Sequence, residues 1–427
     1  MIIYDSAGRP YNTESEIPES LIEPELMDMP KIFFTGTFPT SKDDGELLLR
    51  IEYYSKKQSW SCWSTLKVQG NSSVNFPKKN FTLKLFKDSE KAEKKKVDFK
   101  GWGKQSKFVL KANWIDIMHC RNIVGARLWT QLQESRKESL PQLLQESPRL
   151  GAVDGFPVKI YLNGVYQGRY TLNIPKDKWT FNMDDSLDTN VALCGENNNE
   201  GSAATWNASS DNIDESNWSD EIHDTVPQAV ITAFNRVLTF VNESSDERFV
   251  SNIDDYIDLD SLIDYWILHI LAGDADAYGK NQLWLSYDLA KWYISSYDMD
   301  HFFGMDWQGN LTVTADSGYP ASIASRSKLI KRLVANFGTE ITARYQVLRS
   351  GILSEGNVIR QIEQFTDICP IDLVREDYAS TTAGGAYTNI PTKDNANNTL
   401  QMRQWVVQRF ALMDTLVPDF GVVTTES

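Results

Sequence analysis

The stretch Leu271-Ala-Gly-Asp-Ala-Asp276-Ala-Tyr-Gly-Lys-Asn281, followed further on by Asp298-Met-Asp300-His-Phe-Phe-Gly304, decides how the chain is read. Between the two lie an apolar-rich run, Gln282 to Tyr287, and a second, Lys291 to Tyr297. Short runs of aromatic and branched residues split by a turn predict a strand–turn–strand unit. A hairpin brings both of its open ends to the same edge of a sheet. The two acidic stretches are therefore predicted to meet.

That meeting has chemical content. Asp276 and Asn281 stand five positions apart, the Asp-to-Asn offset of a kinase catalytic loop. Phosphoryl transfer needs an acceptor for the proton of the substrate hydroxyl. It also needs oxygen ligands for magnesium, a hard cation that takes one or two carboxylates with phosphate oxygens and water. In a chain with 58 Asp and Glu residues such an offset recurs by chance, and loops are ordinarily acidic. The pairing of two acidic stretches across one hairpin is the more specific signal.

Outward from the hairpin, the N-terminal half reads as sheet. Strand-like runs occur at Lys31 to Phe38, Glu46 to Tyr54, Cys62 to Val68 and Asn80 to Phe86, with Gly, Asp, Ser and Pro in the gaps. An apolar stripe begins near Ile115 and continues through Ile123, Val124, Leu128 and Leu132 at helical spacing. Val158 to Leu162 and Tyr166 to Leu172 are joined by Asn163-Gly164, a strong hairpin signal. Residues 182–224 are dense in Asn, Asp, Ser and Glu and read as a long loop or insertion. Helices are predicted at Val226 to Val241, Leu259 to Ile270, Ser327 to Leu348, Glu355 to Phe365 and Thr399 to Leu416. Residues 378–397 read as a Gly/Thr/Asn-rich loop.

Strands first, then helices with one embedded hairpin, is an α+β arrangement. The expected division is a polar arm over 1–30, an antiparallel sheet-rich lobe over 31–172, a helix-rich lobe over 173–416 and a tail over 417–427.

Bulk numbers narrow the function. A chain of 427 residues is large enough for one two-lobed unit or two domains. Its net charge of −15 argues against a nucleic-acid binder, because a phosphate backbone would be repelled, and favours basic partners. The one strong basic run, Lys87 to Lys100, reads as a solvated hairpin tip. Four scattered cysteines (Cys62, Cys120, Cys194, Cys369) and four histidines make no zinc pattern, and a chain of this size does not need disulfides. No uncharged apolar window reaches 18 residues, so no membrane span is expected. The N-terminus lacks the basic start and apolar core of a signal peptide, which points to a cytoplasmic or virion-associated protein. Sequons at Asn71, Asn207 and Asn217 carry little weight in that setting.

The phosphate side is sought in Gln69-Gly70-Asn71-Ser72-Ser73, a turn between two strands. A glycine followed by small polar residues lets backbone amides and hydroxyls approach phosphate oxygens. A lysine on the following strand then supplies a point charge, and Lys79 and Lys84 are both candidates. The plain alternative is a serine-rich β-turn with lysines facing solvent.

The same residues carry a family resemblance. Val68-Gln-Gly-Asn-Ser-Ser73 and Phe76-Pro-Lys-Lys-Asn-Phe-Thr-Leu-Lys84 resemble the R-G-N-S-S…P-K-K block of the CotH family, the spore-coat protein H kinases. Trp114-Ile-Asp116 with Arg121-Asn122, the hairpin Tyr161 to Leu172, the loop Gly273 to Asn281 and the segment Tyr297 to Gly304 are similar to further blocks of that family, in order. The resemblance covers roughly 45–415. It implies a divergent protein-kinase-like two-lobed fold, ATP and magnesium as cofactors, and transfer to Ser or Thr of a protein, basic or Ser-rich and of the coat or structural kind. It also implies roles: Asp276 as base, Asn281 as metal or loop-orienting residue, and Asp298 with Asp300 as metal ligands. Gly70, Asn71, Ser72 and Ser73 would cover the phosphates, contacted by Lys79 or Lys84. Two positions depart from the pattern: Gln69 replaces the usual Arg, and Asn173 replaces a frequent Glu. Those losses keep a second reading open, a structural or adhesive protein, such as a virion component, that retains the fold without phosphotransfer.

Overall fold

In the computed structural model the opening strands wrap into a closed barrel, not an open antiparallel sheet. The structure describes residues 29–70, 72–195, 218–274, 276–278, 281–306, 309–311, 314–316, 327–366, 369, 373 and 398–417. The barrel strands are β1 (Lys31–Thr35), β2 (Leu47–Tyr54), β3 (Ser59–Gln69), β4 (Asn80–Phe86), β5 (Lys107–Lys111), β6 (Gly155–Leu162) and β7 (Val165–Asn173). Their order round the barrel is β1-β2-β3-β4-β5-β7-β6. Neighbours run antiparallel except at the closing seam, where β1 lies parallel to β6 with Ile32 opposite Ile160. Period-2 patterning shows which face of each strand is apolar but not which strand it pairs with, so closure was not visible in the sequence. Alternation along β2 sends Leu49, Ile51 and Tyr53 into the barrel, where they join Leu66, Leu83, Phe108, Val158 and Leu172. The Asn163-Gly164 turn has positive φ at both residues, as a two-residue hairpin requires.

The second body has its own core around Trp129, Trp266, Trp284 and Trp292. It contains α1 (Arg121–Glu134), α2 (Gln142–Gln145), α3 (Lys178–Phe181), α4 (Gln228–Glu243), α5 (Asp246–Tyr256) and α6 (Leu259–Ala272). After the hairpin come α7 (Lys328–Asn336), α8 (Gly338–Arg349), α9 (Glu355–Thr366) and α10 (Asn398–Leu416). The expected helix over 327–348 is thus two, broken at Phe337. The stripe from Ile115 becomes helical only at Arg121, because Asp116 first accepts from the Cys120 and Arg121 amides, at 2.8 Å each.

The segment read as a loop holds two strands, β8 (Val191–Gly195) and β9 (Trp218–Asp220). With β10 (Gln282–Ser286) and β11 (Tyr293–Ser296) they form an antiparallel sheet in the order β11-β10-β8-β9. β8 is five buried residues set in polar surroundings, too short for a periodicity argument to find. Both faces of the sheet are covered: Leu193 and Trp284 join the main core, while Cys194, Leu283 and Leu285 pack on Leu144 and Phe181. All four cysteines are buried, and none is in a disulfide. No described helix is long and apolar enough to cross a membrane. The expected 1–30 arm lies almost wholly outside the described residues, as do the 378–397 loop and most of the tail.

Candidate active site

Between the barrel and the second body lies a cleft of about 880 Å³. Gly70, Ser73 and Asn80 line it from the barrel side, and Asn281, Asp298 and Asp300 from the other. The hairpin explains the second group. Gln282 of β10 pairs with Ser296 of β11, so the residues just outside that pair, Asn281 and the Tyr297–Asp298 step, emerge together.

Local bonds set each of these residues. Asp276 opens a single 3-10 turn, Asp276–Tyr278, and its side chain lies outside the described residues. The turn is held from below, because the carbonyl of Ala277 accepts from Tyr265 Oη at 2.8 Å and Gln282 Nε2 at 3.2 Å. Asn281 takes φ 59° and donates its backbone N–H to the Gly195 carbonyl at 2.8 Å. Asp298 takes φ 57°, the left-handed region that Asn and Asp tolerate best among residues with a Cβ. Asn122 Oδ1 then accepts from the Met299 amide at 3.1 Å, and the buried Arg121 guanidinium donates to the Phe302 and Phe303 carbonyls. The Asp298–Gly304 segment is therefore pinned to the first turn of α1.

Asp300 is electrostatically distinct. Enclosure by protein raises its pKa first, although part of the side chain still faces solvent, and the neighbouring Asp298 carboxylate raises it further, to about 7. His301 and Lys111 act the other way. Two crowded carboxylates and an amide make a donor set of hard oxygens, of the kind a hard divalent cation takes. Among the described residues no group of three or more His, Cys, Asp or Glu forms a metal cage.

On the barrel side, Gly70 has φ +109°, and a Cβ there would sit 2.0 Å from Ser73 Oγ. Only glycine lets the turn fold back this tightly. Asn80 fixes it by donating to Ser73 Oγ at 3.1 Å while accepting from the Ala112 amide at 2.7 Å. Asn71 and the Ser72 side chain lie outside the described residues.

The two candidate lysines make other contacts. Lys84 shares the outward face of β4 with the cleft-lining Thr82 but pairs with Glu46, 40% of its side chain exposed. Lys79 donates to the Val74 and Phe76 carbonyls at 2.7 Å each, stapling the turn that precedes it. Neither lines the cleft. Lys78 and Lys111 do. Lys78 is buried, bonded to the Arg169 carbonyl and 4.6 Å from the Tyr170 ring centre. Lys111 ends β5, and it forms no ion pair among the described residues. β5 was missed in the sequence, although Lys107-Phe-Val-Leu-Lys111 has an apolar centre that could have flagged it. Asn122 was noted only as part of a motif, and its bond to the metal-side loop depends on a contact distant in sequence.

The two departing positions also face the cleft. Gln69 accepts from Thr82 Oγ1 at 3.1 Å and so braces a strand pair without supplying charge. Asn173 is buried, with no hydrogen-bond partner for Oδ1.

A fold in which a barrel and a helical body enclose glycine, amide and carboxylate groups belongs to a class that sequence comparison identifies. The profile of the CotH kinase protein family matches residues 66–413, most of the chain. The chain belongs to the CotH kinase family. No curated protein matches the sequence.

Proposed function

We propose that the chain is an ATP- and magnesium-dependent protein kinase that phosphorylates Ser or Thr on a structural or coat protein. The observation that carries this reading is the convergence, in one cleft, of the Gly70 turn with Asn281, Asp298 and Asp300. In this reading the barrel acts as the nucleotide-binding lobe of a kinase-like fold. Val68, Val109 and Ile174 offer an apolar lining for the base, and the turn and Lys111 meet the phosphates. Asp298, Asp300 and Asn281 would hold magnesium, which when bound neutralises charge on the transferring phosphoryl oxygens. Asp276 accepts the proton of the attacking hydroxyl, and the Tyr265 and Gln282 bonds to Ala277 hold its turn in place.

A second reading, a family member with weak or absent transfer, is favoured by Gln69 and Asn173: the Gln69 amide oxygen is engaged by Thr82 where a guanidinium would give a fixed positive fork, and Asn173 brings no charge to the cleft. One experiment separates the two. Calorimetry with ATP, with and without magnesium, is paired with labelling of Ser and Thr on the protein itself and on basic protein acceptors. The kinase reading expects magnesium-dependent binding and labelling. Binding without any labelling selects the second reading, and equal binding in chelator overturns both assignments of the metal residues.

A further inference from the structure

Under the two acidic segments runs a buried chain of polar side chains that the chemistry above leaves unused. His269, in the last turn of α6, places Nδ1 3.1 Å from Asp274 Oδ2 and Nε2 2.7 Å from Ser296 Oγ. All three residues are within about 1% of complete burial. Asp274 lies two residues before Asp276, and Ser296 lies two residues before Asp298. One imidazole thus bridges the segment that carries the proposed base and the strand that delivers the proposed metal ligand.

The donor inventory fixes how the chain works. An ionised carboxylate only accepts, so the nitrogen facing Asp274 carries a hydrogen. In neutral imidazole the other nitrogen is then an acceptor for the Ser296 hydroxyl, whose oxygen also lies 3.1 Å from Met299 Sδ, a weaker acceptor in the Asp298 segment. The ring is also clasped by aromatics, with Tyr265 at 4.2 Å and Phe302 edge-on at 5.6 Å between ring centres. Phe302 belongs to the metal-side segment, and Tyr265 is the residue that holds Ala277. A second tie runs beside the first: the Phe303 amide donates to the Ala272 carbonyl at 3.0 Å.

A core histidine satisfied by chance would bond within one element or to its own loop. This one joins two segments separated by a hairpin, both of which feed the same cleft. Buried, fully paired polar groups rigidify their surroundings, because each bond is made where water cannot compete. We propose that His269 is a positioning residue that sets the Asp276 segment against Asp298 through the Asp274–His269–Ser296 chain, and so governs the rate of transfer without governing nucleotide affinity. This rests on the kinase reading only for its rate arm.

The test uses the full-length protein with His269→Asn, His269→Gln and Ser296→Ala. Asparagine keeps a donor near the Nδ1 position and loses Ser296; glutamine reaches toward Ser296 and loses Asp274. Ser296→Ala is the mildest change and guards against a variant that does not fold. Each is expected to lower kcat at least tenfold while the magnesium–ATP Kd stays within about threefold, since neither residue lines the cleft. The double variant His269→Asn/Ser296→Ala should be no slower than His269→Asn alone, because both break the same link. Hydrogen exchange gives a readout free of activity: peptides covering 274–282 and 296–304 should lose protection together in His269→Asn. Unchanged kcat with only a lowered Tm, or loss of protection in one segment alone, overturns the proposal. If the wild type labels no hydroxyl, the kinase reading fails, and the exchange result alone decides the coupling.

Discussion

The two walls of the cleft are built by opposite means. On the barrel side the Gly70 turn is held by bonds that are only part-buried: Lys79 to two carbonyls, and Asn80 to Ser73. On the facing side the acidic segments rest on groups sealed from water, Arg121 under Phe302 and Phe303 and His269 under Ser296. Bonds exposed to water contribute little net stability, whereas a buried polar group that loses its partner costs its full desolvation. The difference teaches where rigidity is concentrated. The acidic side is fixed before any ligand arrives, while the turn side depends on backbone shape, with Gly70 at its centre.

The comparison breaks first at Arg121. Its guanidinium is fully buried, pairs with Asp116 at 3.6 Å and donates to both Phe302 and Phe303. Arg121→Met leaves Asp116 without its charge partner and frees two carbonyls, an expected loss of about 3–5 kcal/mol in urea unfolding. A loss below about 1 kcal/mol would mean the metal-side wall is no more rigid than the barrel side. Asp276→Asn comes next. It keeps size and removes the proton acceptor, so transfer should fall about 10²–10⁴-fold with magnesium–ATP binding unchanged by calorimetry. Equal labelling by this variant and wild type removes Asp276 from the mechanism.

Gly70→Ala tests the other wall. The added Cβ meets Ser73 Oγ in a positive-φ conformation, so the turn must open at a cost of about 1–3 kcal/mol. Because the turn lines the cleft and is only half-buried, nucleotide affinity should fall by about tenfold or more while Tm moves by only a few degrees. A collapse in Tm with intact affinity would reverse the assignment of roles between the walls.

What could be read in advance follows the same division. The metal side was legible because a hairpin is local: the sequence runs Gln282 to Tyr287 and Lys291 to Tyr297 were enough to bring Asn281 beside Asp298. The glycine turn was legible for a like reason, since only a tight reversal calls for Gly70. The cations were not. Lys84 lies on the outward face of β4, opposite the inward Phe81, Leu83 and Leu85. Alternation had separated those faces correctly, yet which face looks onto the cleft depends on barrel closure through β5 and the β1–β6 seam. The same holds for His269, whose partner Ser296 is 27 residues away and whose role no local pattern announces. β8 escaped because five buried residues carry no period.

The smallest expected effects come from the lysines, and they sharpen the comparison most finely. Lys111→Met removes a positive charge that lines the cleft and acts on Asp300, so magnesium–ATP affinity should weaken by about tenfold, the scale of one charge-assisted bond. Lys84→Met removes half of an exposed pair with Glu46, on the outward face of β4 but beyond the residues that line the cleft. Exposed pairs contribute roughly 0.2–1 kcal/mol, so stability should shift within that range and nucleotide affinity by less than twofold. Lys79→Met sits between the two: it frees the Val74 and Phe76 carbonyls, and any loss of affinity should come with faster exchange of the turn amides. If Lys84→Met instead weakens ATP binding as much as Lys111→Met, the phosphates lie further along the outward face of β4 than Asn80 and Thr82, and the phosphate assignment to the Gly70 turn fails.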